Sequence, residues 1–201
     1  MAHIYLSKKS TTYIPAGTID RSDLIQDDLQ VYNVNLIAEC QKADGTLLPT
    51  TPDGTNLGLT AGTFGAASPM LIGSTSNNNA KSEITRIFLE LPPEYQSGQT
   101  VTIRIHSRVD VVRQVSATVD VVCYEADKEA GIGADICATA AQDINSATWA
   151  DKDFTITPTG LVAGDILDIE ITGASDDTGV GAPSNGHCEI GAMQLLLDIK
   201  G

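Results

Sequence analysis

The residue types of nucleophilic catalysis stand side by side in the tripeptide His187-Cys188-Glu189. An imidazole, a thiol and a carboxylate are the groups that an activated cysteine requires. In a β-strand, however, neighbouring side chains point to opposite faces, so adjacency cannot join the three into a relay. The tripeptide indicates a catalytic site only if further partners arrive from elsewhere in the fold, and a structural role is favoured.

The remaining candidates for catalysis are weaker. His106 lies between Arg104 and Arg108 on the polar side of an alternating segment. Two neighbouring cations make an imidazole a poor base, which favours a solvated strand face. The sequence contains no GxSxG, HExxH or GxxxxGK[ST] motif, and no GxGxxG that opens a helix. We therefore expect no catalytic residues and no cofactor.

Metal ligands are also poorly represented. Acidic residues cluster in 20–28 and at Asp176-Asp177, but neither cluster has the DxDxDG spacing of a calcium loop, which favours solvated acidic faces. The four cysteines form no CxxC pair, so small, buried, reduced side chains are favoured over a zinc site or a disulfide framework; they are Cys40, Cys123, Cys137 and Cys188. We expect no bound metal.

Charge narrows the classes of partner. The 201 residues include 26 acidic and 12 basic side chains, for a formal net charge of −14. Nucleic acid and anionic membrane surfaces both attract basic proteins, so both are disfavoured as partners. The N-terminus lacks the apolar region of a secretory signal, and no run approaches the roughly 20 apolar residues of a membrane span. We expect synthesis as a soluble product in the cytoplasm.

The segments that position these residues alternate apolar and polar side chains with a period of two, which is typical of half-buried strands. Seven segments show the pattern: 32–40, 87–91, 101–111, 117–123, 154–156, 169–171 and 193–199. In the segment 87–91, Phe88 falls on the polar side. The longest segment, 101–111, predicts a bend or a bulge. The apolar region 57–72 supplies one or two further strands.

Connections separate these strands. The segments 73–79 and 173–186 are rich in Gly, Ser, Asn and Asp, and both are predicted to be exposed loops. The segment 126–147 is compatible with a short helix or a strand of small residues, and strand is favoured.

Roughly eight strands without interleaved helices predict an all-β fold, a two-sheet antiparallel sandwich. Long connections favour a jelly roll, in which the chain crosses between the sheets. The rival immunoglobulin-like sandwich lacks its Cys–Trp–Cys pattern. The predicted organisation is an N-terminal arm, residues 1–28, followed by a single domain, residues 29–201.

The second half of the chain, from residue 82 onward, resembles a known family. The features that carry the resemblance are LPPEY followed by SGQTV (91–101), the run W…FTITPTGL…GD.LDIEIT (149–172) and the apolar end QLLLDIKG (194–201). They are similar to jelly-roll proteins of tailed bacteriophages that accompany the major capsid protein as decoration or auxiliary head proteins. Phage tail and host-binding proteins share this kind of sandwich, so a place on the tail stays open.

The resemblance implies a non-enzymatic structural protein of the virion that decorates or cements the capsid. Its partners would be the phage major capsid protein and further copies of itself, as a homo-oligomer, with a trimer expected. The arm would lie on the shell, and Lys8, Lys9 and Tyr13 are its expected partner contacts.

Two other functions compete with this interpretation. The first is a carbohydrate- or host-receptor-binding module, which needs exposed aromatic rings or a bound calcium. Aromatic residues make up only 4% of the chain, and Trp149, Tyr95, Tyr124 and Phe64 are scattered along it. The second is an enzyme on a jelly-roll scaffold, which needs a cleft where Arg, His and acidic side chains converge.

Overall fold

The computed structural model describes residues 30–199, apart from 61, 64, 67, 114, 128–130 and 180–185. The predicted arm, 1–28, lies outside this range, and so do Lys8, Lys9 and Tyr13. Within the described residues, no helix has the length and apolar character that a membrane crossing requires.

The described chain forms eleven strands in two sheets, and every pairing between these strands is antiparallel. Sheet one contains β1 (Gln30–Asn35), β2 (Gly58–Leu59), β3 (Leu71–Ile72), β5 (Val101–Val109), β9 (Ala150–Ile156) and β11 (Cys188–Ile199). Sheet two contains β4 (Ala80–Glu90), β6 (Ser116–Asp127), β7 (Gly131–Ile132), β8 (Gln142–Asp143) and β10 (Ile166–Asp176).

The strand order is that of a jelly roll. Sheet one runs β2-β3-β11-β5-β9, and β1 pairs with β11 on the side that β3 also uses. Sheet two runs β4-β10-β6-β7, and β8 pairs with β6. The four-strand sets 1-11-5-9 and 4-10-6-8 therefore face each other, and the chain crosses repeatedly from one to the other. The predicted all-β, two-sheet antiparallel sandwich is confirmed.

The core lies between the sheets, as the alternating pattern requires. In β5 every odd residue from Val101 to Val109 is buried and every even residue is half-buried. The inner residues of β10 and β11 alternate in the same way, including Ile169, Ile171 and Leu195. Each Leu or Ile side chain buried in this way contributes about 1.5–3 kcal/mol, so the two inner faces supply most of the stability.

Two predicted strands end earlier than their alternation suggests. The predicted strand 32–40 is wrong beyond Asn35, because the Asn35 side chain accepts the N–H of Ile37 at 3.0 Å and the chain turns into a 3-10 helix, Ile37–Glu39. β5 ends at Val109, and Val111 is exposed. The bulge predicted within 101–111 lies instead in the neighbouring strand β11, between Ile190 and Ala192.

The prediction that 173–186 is an exposed loop is wrong in its first part. β10 continues to Asp176, and both Gly173 and Ser175 face the core. Small residues are required here because the Cys188 sulfur occupies the space beside Gly173: a Cβ at residue 173 would lie 2.6 Å from that sulfur. The Gly- and Ser-rich composition therefore predicted a loop at a place where packing between the sheets requires small side chains.

The segment 126–147 contains two short strands, β7 and β8, and no helix among its described residues. Between these strands, Cys137 forms a single antiparallel bridge to Ile156. The favoured strand prediction holds for these short pieces, while turns fill most of the rest. The region 57–72 supplies β2 and β3, as predicted, and 73–79 is a connection that contains one bridge, at Ser76.

Candidate functional site

The outer face of sheet one carries the polar residues that the sequence singled out. Three side chains of β5 point outward, and each contacts a carboxylate on a neighbouring strand: Arg104 with Asp153 at 2.7 Å, His106 with Asp151 at 2.6 Å, and Arg108 with Glu189 at 2.6 Å. The hydrogen bonds from Arg104 hold the pKa of the Asp153 carboxyl below its ordinary value. The prediction that His106 lies on a polar strand face is confirmed.

Trp149 packs within this face. Its indole stacks on the His106 ring with centroids 5.2 Å apart, and the Arg108 guanidinium carbon lies 4.5 Å from the indole centroid. The indole edge lies against Gly191, where a Cβ would come within 3.2 Å. Imidazole, guanidinium and backbone therefore already contact Trp149, which is half-buried.

The tripeptide His187-Cys188-Glu189 divides between the two faces, as strand geometry predicts. His187 Nε2 lies 3.6 Å from Glu189 Oε1 on the outer side. Cys188 is buried on the inner side, and burial raises the pKa of its thiol to about 12. A thiol of this kind is not ionised near neutral pH, and nucleophilic cysteines require the thiolate. The three residues therefore form no nucleophilic relay.

One end of the sandwich is closed by a buried ion pair. The side chains of Arg113 and Asp177 are both completely buried, and Arg113 Nη1 donates to Asp177 Oδ2 at 3.0 Å. Arg113 also donates to the Ser76 hydroxyl and to the Val111 carbonyl. The prediction that Asp176-Asp177 forms a solvated acidic face is thus wrong for Asp177. These contacts fix the loop between β5 and β6 to the two neighbouring loops.

The outer face of sheet two has a different arrangement. Strand β10 lies between β4 and β6, and the registers place Asp168 directly between Phe88 and Tyr124. The next row contains Glu170 between Arg86 and Val122, and the row after it contains Thr172 between Ile84 and Asp120. Because neighbouring strands lie about 4.8 Å apart, the backbones at Phe88 and Tyr124 are separated by about 10 Å.

Arg86 and Asp168 form the rigid floor of this face. Arg86 Nε donates to Asp168 Oδ1 at 2.7 Å and Nη2 to Oδ2 at 2.5 Å, while Nη1 donates to the Ala43 carbonyl at 2.8 Å. The hydrogen bonds to Asp168 raise the pKa of Arg86. The guanidinium carbon also lies 4.2 Å from the centre of the Phe88 ring. This bidentate geometry fixes the orientation of both side chains.

Around this floor, several side chains keep unused binding capacity. Phe88 is 41% exposed, and Tyr124, Glu170 and Thr172 are half-buried. In the described part of the chain, no side-chain hydrogen bond engages Tyr124, Glu170 or Thr172. We call these four residues, with Arg86 and Asp168, the sheet-two platform. It offers aromatic faces, two separate hydroxyls and a carboxylate to a ligand.

The platform was missed by the sequence reasoning, although one signal pointed to it. Phe88 interrupts the polar side of its alternating segment, and it becomes part of a larger surface only through the register that brings Tyr124 into the same row. Among the described residues, no group of three or more His, Cys, Asp and Glu side chains is placed to hold a metal ion. Cys40, Cys123 and Cys188 are buried, as predicted, whereas Cys137 is half-buried, and all four are free thiols.

No family model matches the chain, and no curated protein matches its sequence. Among solved structures, the CBM22-1 xylan-binding domain of Paenibacillus barcinonensis Xyn10C is similar over 86% of this chain and 96% of its own, with 14% identity and a TM-score of 0.43. The xylan-binding module CBM15 is similar over 87% of this chain and 100% of its own, with 13% identity and a TM-score of 0.42. TmCBM61, solved in complex with β-1,4-galactotriose, is similar over 83% of this chain and 88% of its own, with 7% identity and a TM-score of 0.38.

Proposed function

We propose that this chain is a non-catalytic binding domain that holds a saccharide on the sheet-two platform. The observation that supports this function is the row Phe88–Asp168–Tyr124, two part-exposed aromatic rings on either side of an immobilised ion pair. A sugar ring has apolar C–H faces and a rim of hydroxyls. It therefore needs aromatic surface and fixed polar groups together, which is what the platform supplies.

The spacing of the aromatic residues indicates the size of ligand. About 10 Å separates the backbones at Phe88 and Tyr124, roughly the length of a disaccharide unit. A single sugar can contact one ring, whereas a chain of three or more sugars can contact both. Glu170 and Thr172 lie one and two rows further along β10, within reach of the hydroxyls of such a chain.

The absence of turnover is part of the proposal, and the positions of the reactive groups support it. Cys188 faces the core, and its pKa is raised to about 12. Arg104, His106 and Arg108 are each paired with a carboxylate on an open sheet face. The positions of these reactive groups are therefore those expected of a domain that binds without catalysing a reaction.

Calorimetric titration with neutral β-linked oligosaccharides of one to six sugars tests this function. We expect binding from about three sugars upward, and F88A/Y124A should weaken it about ten-fold or more, because each aromatic contact contributes about 0.5–1.5 kcal/mol. Y124F removes the hydroxyl alone and should retain most of the aromatic contribution. V115A, at an exposed valine of the β5–β6 loop, is the matched control. Binding that survives in F88A/Y124A would exclude the platform.

A second function, decoration of a phage capsid, has its own structural support. The loop between β5 and β6 exposes Val111, Val112 and Val115, which are 45%, 50% and 48% exposed. The buried Arg113 holds this loop in place, so its apolar surface is presented rigidly. Apolar surface on a fixed loop is typical of a contact between proteins. The capsid partner, the trimeric assembly and the location in the virion remain proposals.

Light scattering and co-sedimentation test this second function. The assembly hypothesis expects a trimer in solution and co-sedimentation with phage capsid shells that lack their decoration protein. V111D/V115D should abolish the co-sedimentation, because a carboxylate replaces each apolar contact, while F88A/Y124A should leave it intact. A monomer that fails to co-sediment with shells would remove this candidate.

A further inference from the structure

The outer face of sheet two is acidic around the platform. The outward residues of β4, β6 and β10 include one cationic side chain, Arg86, and five carboxylates. The carboxylates are Glu90, Asp120, Asp168, Glu170 and Asp176. The guanidinium is already bound to Asp168 in a bidentate pair, so its charge is largely neutralised. A ligand on this face therefore meets a negative potential, in addition to the chain's overall charge of −14.

Glu170 is the carboxylate closest to the centre of this face. It lies on the middle strand, one row from Asp168, between Arg86 on β4 and Val122 on β6. Arg86 directs its three donor groups to Asp168 and the Ala43 carbonyl, so no hydrogen bond joins Arg86 to Glu170. Within the described residues the Glu170 carboxylate is thus available to a ligand, and Arg86, which attracts it across the strands but is already bound to Asp168, compensates its charge only in part.

We propose that Glu170 selects the charge of the ligand: the platform accepts uncharged saccharide chains and excludes chains that carry carboxylate or sulfate groups. This inference rests on the saccharide-binding function proposed above. An uncharged chain can donate its hydroxyls to the carboxylate. An anionic chain instead places like charges opposite each other on a face that carries few compensating cations, which disfavours binding.

Paired titrations test this inference, using a neutral oligosaccharide and its carboxylated counterpart of the same linkage and length, at low and high salt. We expect wild type to prefer the neutral chain about ten-fold, because like charges in an interface are disfavoured, and the preference should shrink at high salt. E170Q should reduce the preference, and E170K should abolish or reverse it. E94Q, at an exposed glutamate of the β4–β5 connection, is the matched control.

The outcomes separate this inference from the function on which it rests. If wild type binds both chains equally, or if E170K keeps the wild-type preference, charge selection by Glu170 is wrong and saccharide binding stands. If wild type binds neither chain, the proposed function fails and the inference fails with it. Equal unfolding midpoints for wild type and E170Q establish that a changed preference does not come from lost folding.

Discussion

The two outer faces of the sandwich carry the same ionic motif in different surroundings. On sheet two, Arg86 holds Asp168 through two hydrogen bonds, and the carboxylate side chain is 8% exposed. On sheet one, Arg104 holds Asp153 through two hydrogen bonds of 2.7 Å, and that carboxylate side chain is 44% exposed. The two carboxylate contacts match in geometry and differ in burial, and Arg86 also donates to the Ala43 carbonyl and contacts Phe88.

The aromatic residues of the two faces differ in exposure in the opposite sense to the carboxylates: the ring on sheet two is the more exposed one. Trp149 on sheet one contacts His106, Arg108 and Gly191 and is half-buried, so the larger ring is used mainly for packing. Phe88 on sheet two contacts Arg86 and keeps 41% of its surface exposed. The difference shows that a polar face with an aromatic ring is not by itself a binding site. Binding capacity lies where groups remain unsatisfied.

The largest expected effect comes from removing one partner of each arginine pair. R86M leaves the nearly buried Asp168 carboxylate without its donor and should lower the free energy of unfolding by about 2–3 kcal/mol. R104M leaves an exposed carboxylate that water can solvate, and should cost about 0.5 kcal/mol or less. Urea denaturation of both variants measures the difference. Equal losses would mean that burial does not distinguish the two faces.

The next effect tests whether Trp149 is structural. W149A removes a half-buried indole and should cost about 2 kcal/mol, below the 3–5 kcal/mol that a fully buried ring costs. F88A exposes little new surface and should cost less than about 1 kcal/mol. Under the proposed function, saccharide titration gives the opposite order: F88A weakens binding more than W149A does. If W149A abolished binding while F88A preserved it, the assignment of the two faces would have to be reversed.

Much of the fold follows from the sequence, because period-two alternation fixes which side chains face inward. The inward-facing residues of 87–91, 101–109, 117–123, 169–171 and 193–199 were predicted, and Phe88 was placed correctly on the polar side. The early end of β1 was not predicted, because it depends on one hydrogen bond, which the Ile37 N–H donates to the Asn35 side chain. Small residues of β10 were mistaken for a loop, because their reason is the distant Cys188 sulfur.

The platform could not be predicted from alternation alone. Phe88, Asp168 and Tyr124 become neighbours through the registers of β4 and β6 on β10, and alternation within one strand does not identify the residue that lies opposite on the next. The same limit applies to the pair of Arg113 and Asp177, which are 64 residues apart. The resemblance to phage head proteins predicted a capsid role, which stays a prediction.

A smaller effect is expected where the backbone of β11 supports Trp149. Gly191 lies at the bulge of β11, and a Cβ there would stand 3.2 Å from two indole carbons. G191A should displace the indole slightly and cost about 1 kcal/mol, the lower end for overpacking. Near-ultraviolet circular dichroism reports the indole's surroundings, and thermal unfolding reports the cost. An unchanged spectrum would show that Gly191 does not define the position of Trp149.

The smallest effect concerns the exposed pair on sheet one and its dependence on pH. Arg104 lowers the pKa of the Asp153 carboxyl from its ordinary value of 3.8, so the pair stabilises the folded chain above that value and the contribution is lost as the pH falls below it. D153N removes this contribution. Wild type should therefore exceed D153N by about 0.5 kcal/mol or less at pH 7, and the gap should close in acid. Urea midpoints at pH 7, 4 and 3 measure it, and a gap that widened in acid would contradict the pairing. Because water already satisfies both partners on this face, the small size of the gap is itself the expected consequence of their exposure.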